Sequence, residues 1–195
     1  MSDTPCPSTA CDDPCPTSQC NDPRVTAMEL LVDVQAGVTA RLTPVLDAHG
    51  ISGHDFDVLM RIARSPESSL RMSDLARQTA SSTSGMTRVV DRLERRGLVA
   101  REPHPSDRRV HYVRLLDGGS DKLAALMPEV LAAIEHWFTG QLSGQCLEQL
   151  LTGLRTVRGV VLPEAEEADL ARQHATSGQD EPSRAGGLEA ATSEE

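Results

Sequence analysis

Thr83, Ser84, Thr87, Arg88, Asp91 and Arg95 fall on one side of a helical segment whose other side carries Met86, Val89, Val90 and Leu93 at i, i+3, i+4, i+7. Hydroxyls in the first turns and guanidinium groups further along suit a helix that lies in a DNA major groove. Short side chains allow close approach, and hydroxyl and guanidinium groups reach base edges and phosphates. Ser82 stands where the cap of this helix belongs, and Gly97 suits the left-handed residue that closes it. A second cationic group follows. Asp107, Arg108 and Arg109 lie in PHPSDRR, between two strand-like runs, Leu98 to Glu102 and Val110 to Leu116, so the pattern predicts a β-hairpin with arginines at its tip.

Other elements must hold these groups in place. Val25 to Gly50 reads as a helix with Met28, Leu31, Val38, Leu42 and Leu46 near one face and Pro44 kinking its last turn. Ser52 with Asp55 approximates a capping box, flanked by Ile51 and Phe56 as a hydrophobic staple. Phe56, Leu59, Met60 and Ala63 then form a stripe that ends before Ser65-Pro66. Ser73 is expected to cap a short helix through Thr79, a few residues before the helix capped by Ser82. Two helices joined by a short turn and followed by a basic hairpin make a winged helix-turn-helix. Beyond it, Leu123, Leu126, Met127, Val130, Leu131, Ile134, Trp137 and Phe138 form a broad stripe containing Pro128. Ser143 caps a last helix, stapled by Leu142 and Leu147, with Leu150, Leu151, Leu154, Val157 and Val161 along its face. These terminal helices carry more apolar surface than a small winged domain can cover, so they are expected to form a dimerisation module. The fold class expected is mainly α with a small β-hairpin wing.

The formal charge of -10 over 195 residues would disfavour a polyanionic partner if it were spread evenly. It is not. Residues 1–23 carry four acids and no base, residues 164–195 nine acids and two bases, and the stretch between them is +1. Within that stretch, residues 71–114 hold ten arginines against five acids, the layout of a nucleic-acid-binding segment between acidic tails. Three regions follow: a disordered Cys/Pro-rich leader (1–23), a folded domain (24–163) and an acidic disordered tail (164–195). The DNA-binding lobe is expected at about 52–116 and the dimerisation helices at about 25–50 and 120–161. No run reaches the roughly 18 apolar residues that span a bilayer, and the N-terminus has no signal-peptide pattern, so a cytoplasmic location is expected and no membrane partner.

GHDFDVLMRIA, MSDLA, SGMTRVVDRLERRGLVAR and SDRRVHYVRLLDGG occur in that order, and on them the chain resembles the MarR family of bacterial transcriptional regulators over roughly residues 26–161. The resemblance implies winged helix-turn-helix homodimers whose reader helix enters the major groove, with Ser84, Thr87 and Arg88 as DNA contacts. It also implies that Arg109 enters the minor groove, oriented by Asp107, and that a small-molecule effector pocket lies between the dimer helices and the DNA-binding lobe. Where many members have Thr-x-x-Gly after the wing, this chain has Leu116-Asp117-Gly118-Gly119, read as a changed cap. The full expected DNA-binding set is Ser82, Thr83, Ser84, Thr87, Arg88, Arg95, Asp107, Arg108 and Arg109.

Cys6, Cys11, Cys15 and Cys20 invite a metal or redox reading, yet their spacings do not match paired C-x2-C knuckles and nothing apolar supports them. A leader that is disordered, or absent from the working protein with Met28 as an alternative start, is expected, and a thiol- or metal-sensing regulator is the alternative. Cys146 reads as a small packing residue, His49 and His54 as surface histidines near the implied pocket, and His104 and His111 as wing residues. No catalytic residue, cofactor site or metal site is expected, because no nucleophile–base arrangement, paired carboxylates or phosphate loop is visible. The expected function is that of a ligand-responsive repressor that binds a pseudo-palindromic operator as a homodimer.

Overall fold

Asp22 opens the first helix: its carboxylate accepts from the Arg24 N–H at 2.8 Å, and Pro23 takes the first helical position, where no N–H is needed. The structure is a computed structural model and describes residues 21–103 and 110–163. The leader cysteines, His104, the wing residues Asp107, Arg108 and Arg109, and the acidic tail from 164 on lie outside the described residues. Helix α1 (Pro23–Ala48) runs on through Pro44, and the turn that follows places Gly50 at φ 65°. The capping box of α2 (Gly53–Ala63) forms as expected. Ser52 accepts from the Asp55 N–H at 3.1 Å, the Ser52 N–H donates to the Asp55 carboxylate at 3.4 Å, and Ile51 is buried beside the partly buried Phe56.

A strand that the sequence pattern does not announce, β1 (Ser69–Arg71), leads straight into α3 (Met72–Gln78). The cap expected at Ser73 is not there. Arg71, the extended last residue of β1, holds the N-cap position without capping it through its side chain, which donates to the Tyr112 hydroxyl at 2.8 Å instead, and Ser73 sits in the first turn with its hydroxyl 3.3 Å from the Asp74 carboxylate. Helix α4 (Thr83–Arg95) is capped by Ser82 and closed by Gly97 at φ 68°. Strands β2 (Val99–Pro103) and β3 (His111–Leu115) pair antiparallel, and β1 adds to the far edge of β3, giving the order β1-β3-β2. The wing is therefore part of a three-stranded sheet.

Helix α5 (Asp117–Trp137) continues through Pro128, and α6 (Gly144–Val161) is capped by Ser143. One core joins the winged helix-turn-helix unit to the helical arms: Leu59 and Ile62 of α2, Leu75 of α3, Met86, Val90 and Leu93 of α4, Val99 and Val113 of the sheet, and Leu126 and Val130 of α5. Val58 and Ile62 are fully buried as well, so α2 buries a wider face than its expected stripe. Helix α6, by contrast, buries none of its residues within the chain. Cys146 is exposed there, a correction to its reading as a packing residue: it lies in the first turn, where its N–H donates to the Ser143 hydroxyl at 3.3 Å. No helix among the described residues is long and apolar enough to cross a membrane.

Candidate nucleic-acid interface

Amphipathic spacing decides which way α4 faces. Met86, Val89, Val90 and Leu93 are buried, which turns Ser82, Thr83, Ser84, Thr87, Arg88 and Arg95 outward, all of them exposed. The Ser82 hydroxyl accepts from the Gly85 N–H at 3.1 Å and lies 3.3 Å from the Ser84 hydroxyl, so the start of the helix offers a small polar cluster. Thr87 donates its hydroxyl proton to the Thr83 carbonyl at 2.9 Å. What it presents outward is a methyl group and an acceptor oxygen, a pair suited to a thymine methyl or a base amino group. Arg95 donates to the Asp91 carbonyl at 3.2 Å, and Arg88 has no ion-pair partner among the described residues.

Two arginine clamps that the sequence reading missed fix this helix in place. The first is centred on Asp55, whose side chain is only 3% exposed. Besides closing the capping box, Asp55 accepts from Arg92 of α4 at 2.5 Å and 3.1 Å, with the Arg96 guanidinium 3.8 Å away. Burial pushes the Asp55 carboxyl up, but the hydrogen bond from Arg92, the bonds from Ser52 and the Arg92 charge outweigh it, holding the group below its ordinary value. The second clamp is Arg101 on β2, which meets Asp91 at 2.5 Å and Glu94 at 2.9 Å and donates to the Thr87 carbonyl at 3.2 Å. Asp74 pairs with Arg77, and Glu102 with Arg114. The described acids of the arginine-rich segment are thus all engaged, which leaves Arg88 and Arg95 to set the sign of the outer face.

The remaining histidine readings divide. His49 lies 3.1 Å from Glu129 of α5, a link between the end of α1 and the second arm, whereas His54 and His111 are exposed. Among the described residues no three His, Cys, Asp or Glu side chains group as metal ligands.

A family model described as MarR family matches residues 49–110, the stretch from the α1–α2 turn to the wing. The transcriptional repressor MprA of Escherichia coli (strain K12) is 28% identical over 127 residues, which cover 65% of this chain and 65% of that protein. The chain thus spans just under two thirds of the length of that repressor. The uncharacterized HTH-type transcriptional regulator YkoM of Bacillus subtilis (strain 168) is 31% identical over 108 residues, 55% of this chain and 68% of its own length. The structure of Sco3205, a MarR family transcriptional regulator from Streptomyces coelicolor in complex with DNA, superposes with a TM-score of 0.65 at 26% identity, covering 70% of this chain and 89% of that one. The order of elements, the three-stranded sheet beside the capped helix α4 and these likenesses agree: the chain belongs to the MarR family of transcriptional regulators.

Proposed function

We propose that the protein is a sequence-specific DNA-binding repressor that acts as a homodimer on a pseudo-palindromic operator. The observation that carries this reading is the outer face of α4: small hydroxyls and unpaired arginine charge, locked to α2 and β2 by the Asp55 and Arg101 clamps. Sco3205 is seen with DNA and MprA is described as a repressor, which supports both halves of the reading. In the complex, Ser84, Thr87 and Arg88 meet base edges, Ser82, Thr83 and Arg95 meet the backbone, and Arg109, oriented by Asp107 and accompanied by Arg108, enters the flanking minor groove. A small-molecule effector that favours badly spaced reader helices would release DNA, by no more than its differential affinity for the two states. The working location is the cytoplasm, the folded domain 24–163 carries the activity, and no catalysis is involved.

A second copy of the chain supplies the cover that the arms lack. Met28, Leu30, Leu31 and Val34 on α1, Leu131 and Trp137 on α5, and Leu151, Leu154 and Val157 on α6 are 40% to 59% exposed in the single chain. An apolar surface of that breadth on three helices marks an association face. Light scattering after size exclusion is expected to give twice the chain mass of 21.0 kDa. Replacing Leu154 and Val157 together by Asp is expected to halve it.

Capture of sheared source-genome DNA at near-physiological salt, followed by sequencing, tests the function directly. Enrichment of fragments that share an inverted repeat is expected. On the best fragment, Arg109→Ala should weaken binding and lower the salt slope by about 1, while Thr87→Ala and Arg88→Ala should also relax sequence preference, by about 1–3 kcal/mol of discrimination. Equal losses on specific and random duplexes for all three variants would remove α4 as the reader.

A further inference from the structure

Arg88 and Arg95 are the outward charges of α4 once Arg92 is committed to Asp55, and the same helix carries two acids, Asp91 and Glu94. Left alone, these carboxylates would cancel the two arginines on the surface that has to approach a polyanion. Thr87, Asp91 and Glu94 form a stripe at spacings of four and three along one flank of the helix. Arg101 of β2 spans that whole stripe. One terminal nitrogen lies 2.5 Å from Asp91 and donates to the Thr87 carbonyl at 3.2 Å. The other lies 2.9 Å from Glu94, and the Arg101 backbone N–H donates to Glu94 at 3.1 Å. Its side chain is three-quarters buried, at 25% exposure, so the charge is spent inward and is withdrawn from solvent.

We propose that Arg101 is a positioning residue for DNA recognition and makes no DNA contact itself: it neutralises the two carboxylates of α4 and locks the first wing strand to that helix. The proposal rests on the reading of α4 as the reader. A guanidinium is suited to the task because its planar fork spreads five donors over three nitrogens, far enough apart to serve two carboxylates and a carbonyl, whereas an ammonium gathers its three donors on one atom. Without it, Asp91 and Glu94 stand unscreened within a Debye length, about 8–10 Å, of any phosphate that Arg88 or Arg95 approaches. The backbone N–H bond to Glu94 also makes the register of β2 and the rotation of α4 a single variable, so the groups of the wing and of the helix are presented together.

The test uses the full chain, the captured operator fragment and a random duplex, with affinity followed against salt by fluorescence anisotropy. Arg101→Ala is expected to lose about tenfold in operator affinity at low salt, a loss that shrinks as salt screens the two bared carboxylates. Adding Asp91→Asn and Glu94→Gln to that variant should recover most of the loss, and Arg101→Lys should fall between. A slope lowered by about 1 with no recovery in the triple variant would make Arg101 a phosphate contact and overturn the proposal, as would undiminished operator affinity in Arg101→Ala. If Arg101→Ala does not fold, Asp91→Asn with Glu94→Gln beside native Arg101 carries the test: affinity for the random duplex should rise about threefold as the Arg101 charge is released, and no rise overturns it. Wild-type protein that enriches no fragment overturns the proposed function, and this proposal with it, before any variant is read.

Discussion

Gly119→Ala is expected to destabilise the protein by about 3 kcal/mol, the upper end of what a single overpacked methyl costs where backbone must move. Gly119 is buried in the first turn of α5, where the arm crosses the start of β2. A β-carbon there would lie 2.3 Å from the Leu98 carbonyl oxygen and 2.6 Å from a Leu115 methyl. The carbonyl cannot simply retreat, because it accepts the Leu116 N–H at 3.0 Å, the bond that joins the end of β3 to the entry of β2. Gly118 is the control. Its added methyl would meet only the Gly97 carbonyl at 3.0 Å, in an exposed turn that can give, and alanine's helix preference offsets part of the cost. Urea denaturation should therefore place Gly118→Ala within about 1 kcal/mol of wild type and Gly119→Ala well below it. Equal midpoints for the two variants would show that the arm does not seat on Leu98 as described. The cap change after the wing is confined to Leu116, which holds the cap position without a side-chain hydrogen bond, while close approach accounts for the glycine kept at 119.

What could be read from the sequence was local. The Ser52 and Ser82 caps, the buried stripe of α4 and the left-handed Gly97 each depend on residues within one or two turns, and each forms where the spacing puts it. Strand β1 is hidden because its three residues are too few for their alternation to stand out. It exists because Ser69, Leu70 and Arg71 find Arg114, Val113 and Tyr112 across more than forty positions of chain. The missed cap at Ser73 follows from that strand, since a helix entered directly from a strand takes its N-cap from the strand's last residue. Asp55 was recognised for its local task, and that task concealed the larger one, a partnership with Arg92 thirty-seven residues away. One signal was available: Arg92 lies three residues after Val89 and next to Leu93, on the edge of a core stripe, where a guanidinium requires an acid from a neighbouring element. Arg101 gave no such signal, because its partners depend on how β2 docks against α4.

Arg92→Met, which keeps the apolar stem of the side chain and removes its charged end, is expected to cost about 3 kcal/mol at neutral pH because it leaves the buried Asp55 carboxylate without its principal partner. Arg96, at 3.8 Å, is too distant to replace the bonds that are lost. The pH dependence separates this cause from simple loss of packing. In the wild type the Asp55 carboxyl is held below its ordinary value, so its contribution is fully present above the unfolded value, about 4, and is lost as pH falls through the lower folded one. In the variant, burial still pushes the group up while the Arg92 hydrogen bond and charge are gone, so its folded value rises and protonation relieves the penalty at higher pH. The stability gap between the two proteins should therefore be widest near pH 7 and narrow steadily between about pH 5 and pH 3. Urea midpoints at pH 7, 5 and 4 measure it, with Asp55→Asn as a companion that keeps a cap acceptor and should show a flatter profile over the same range. A gap that stays constant with pH would assign the loss to changed packing at position 92 and remove the Asp55 ion pair as the anchor of α4.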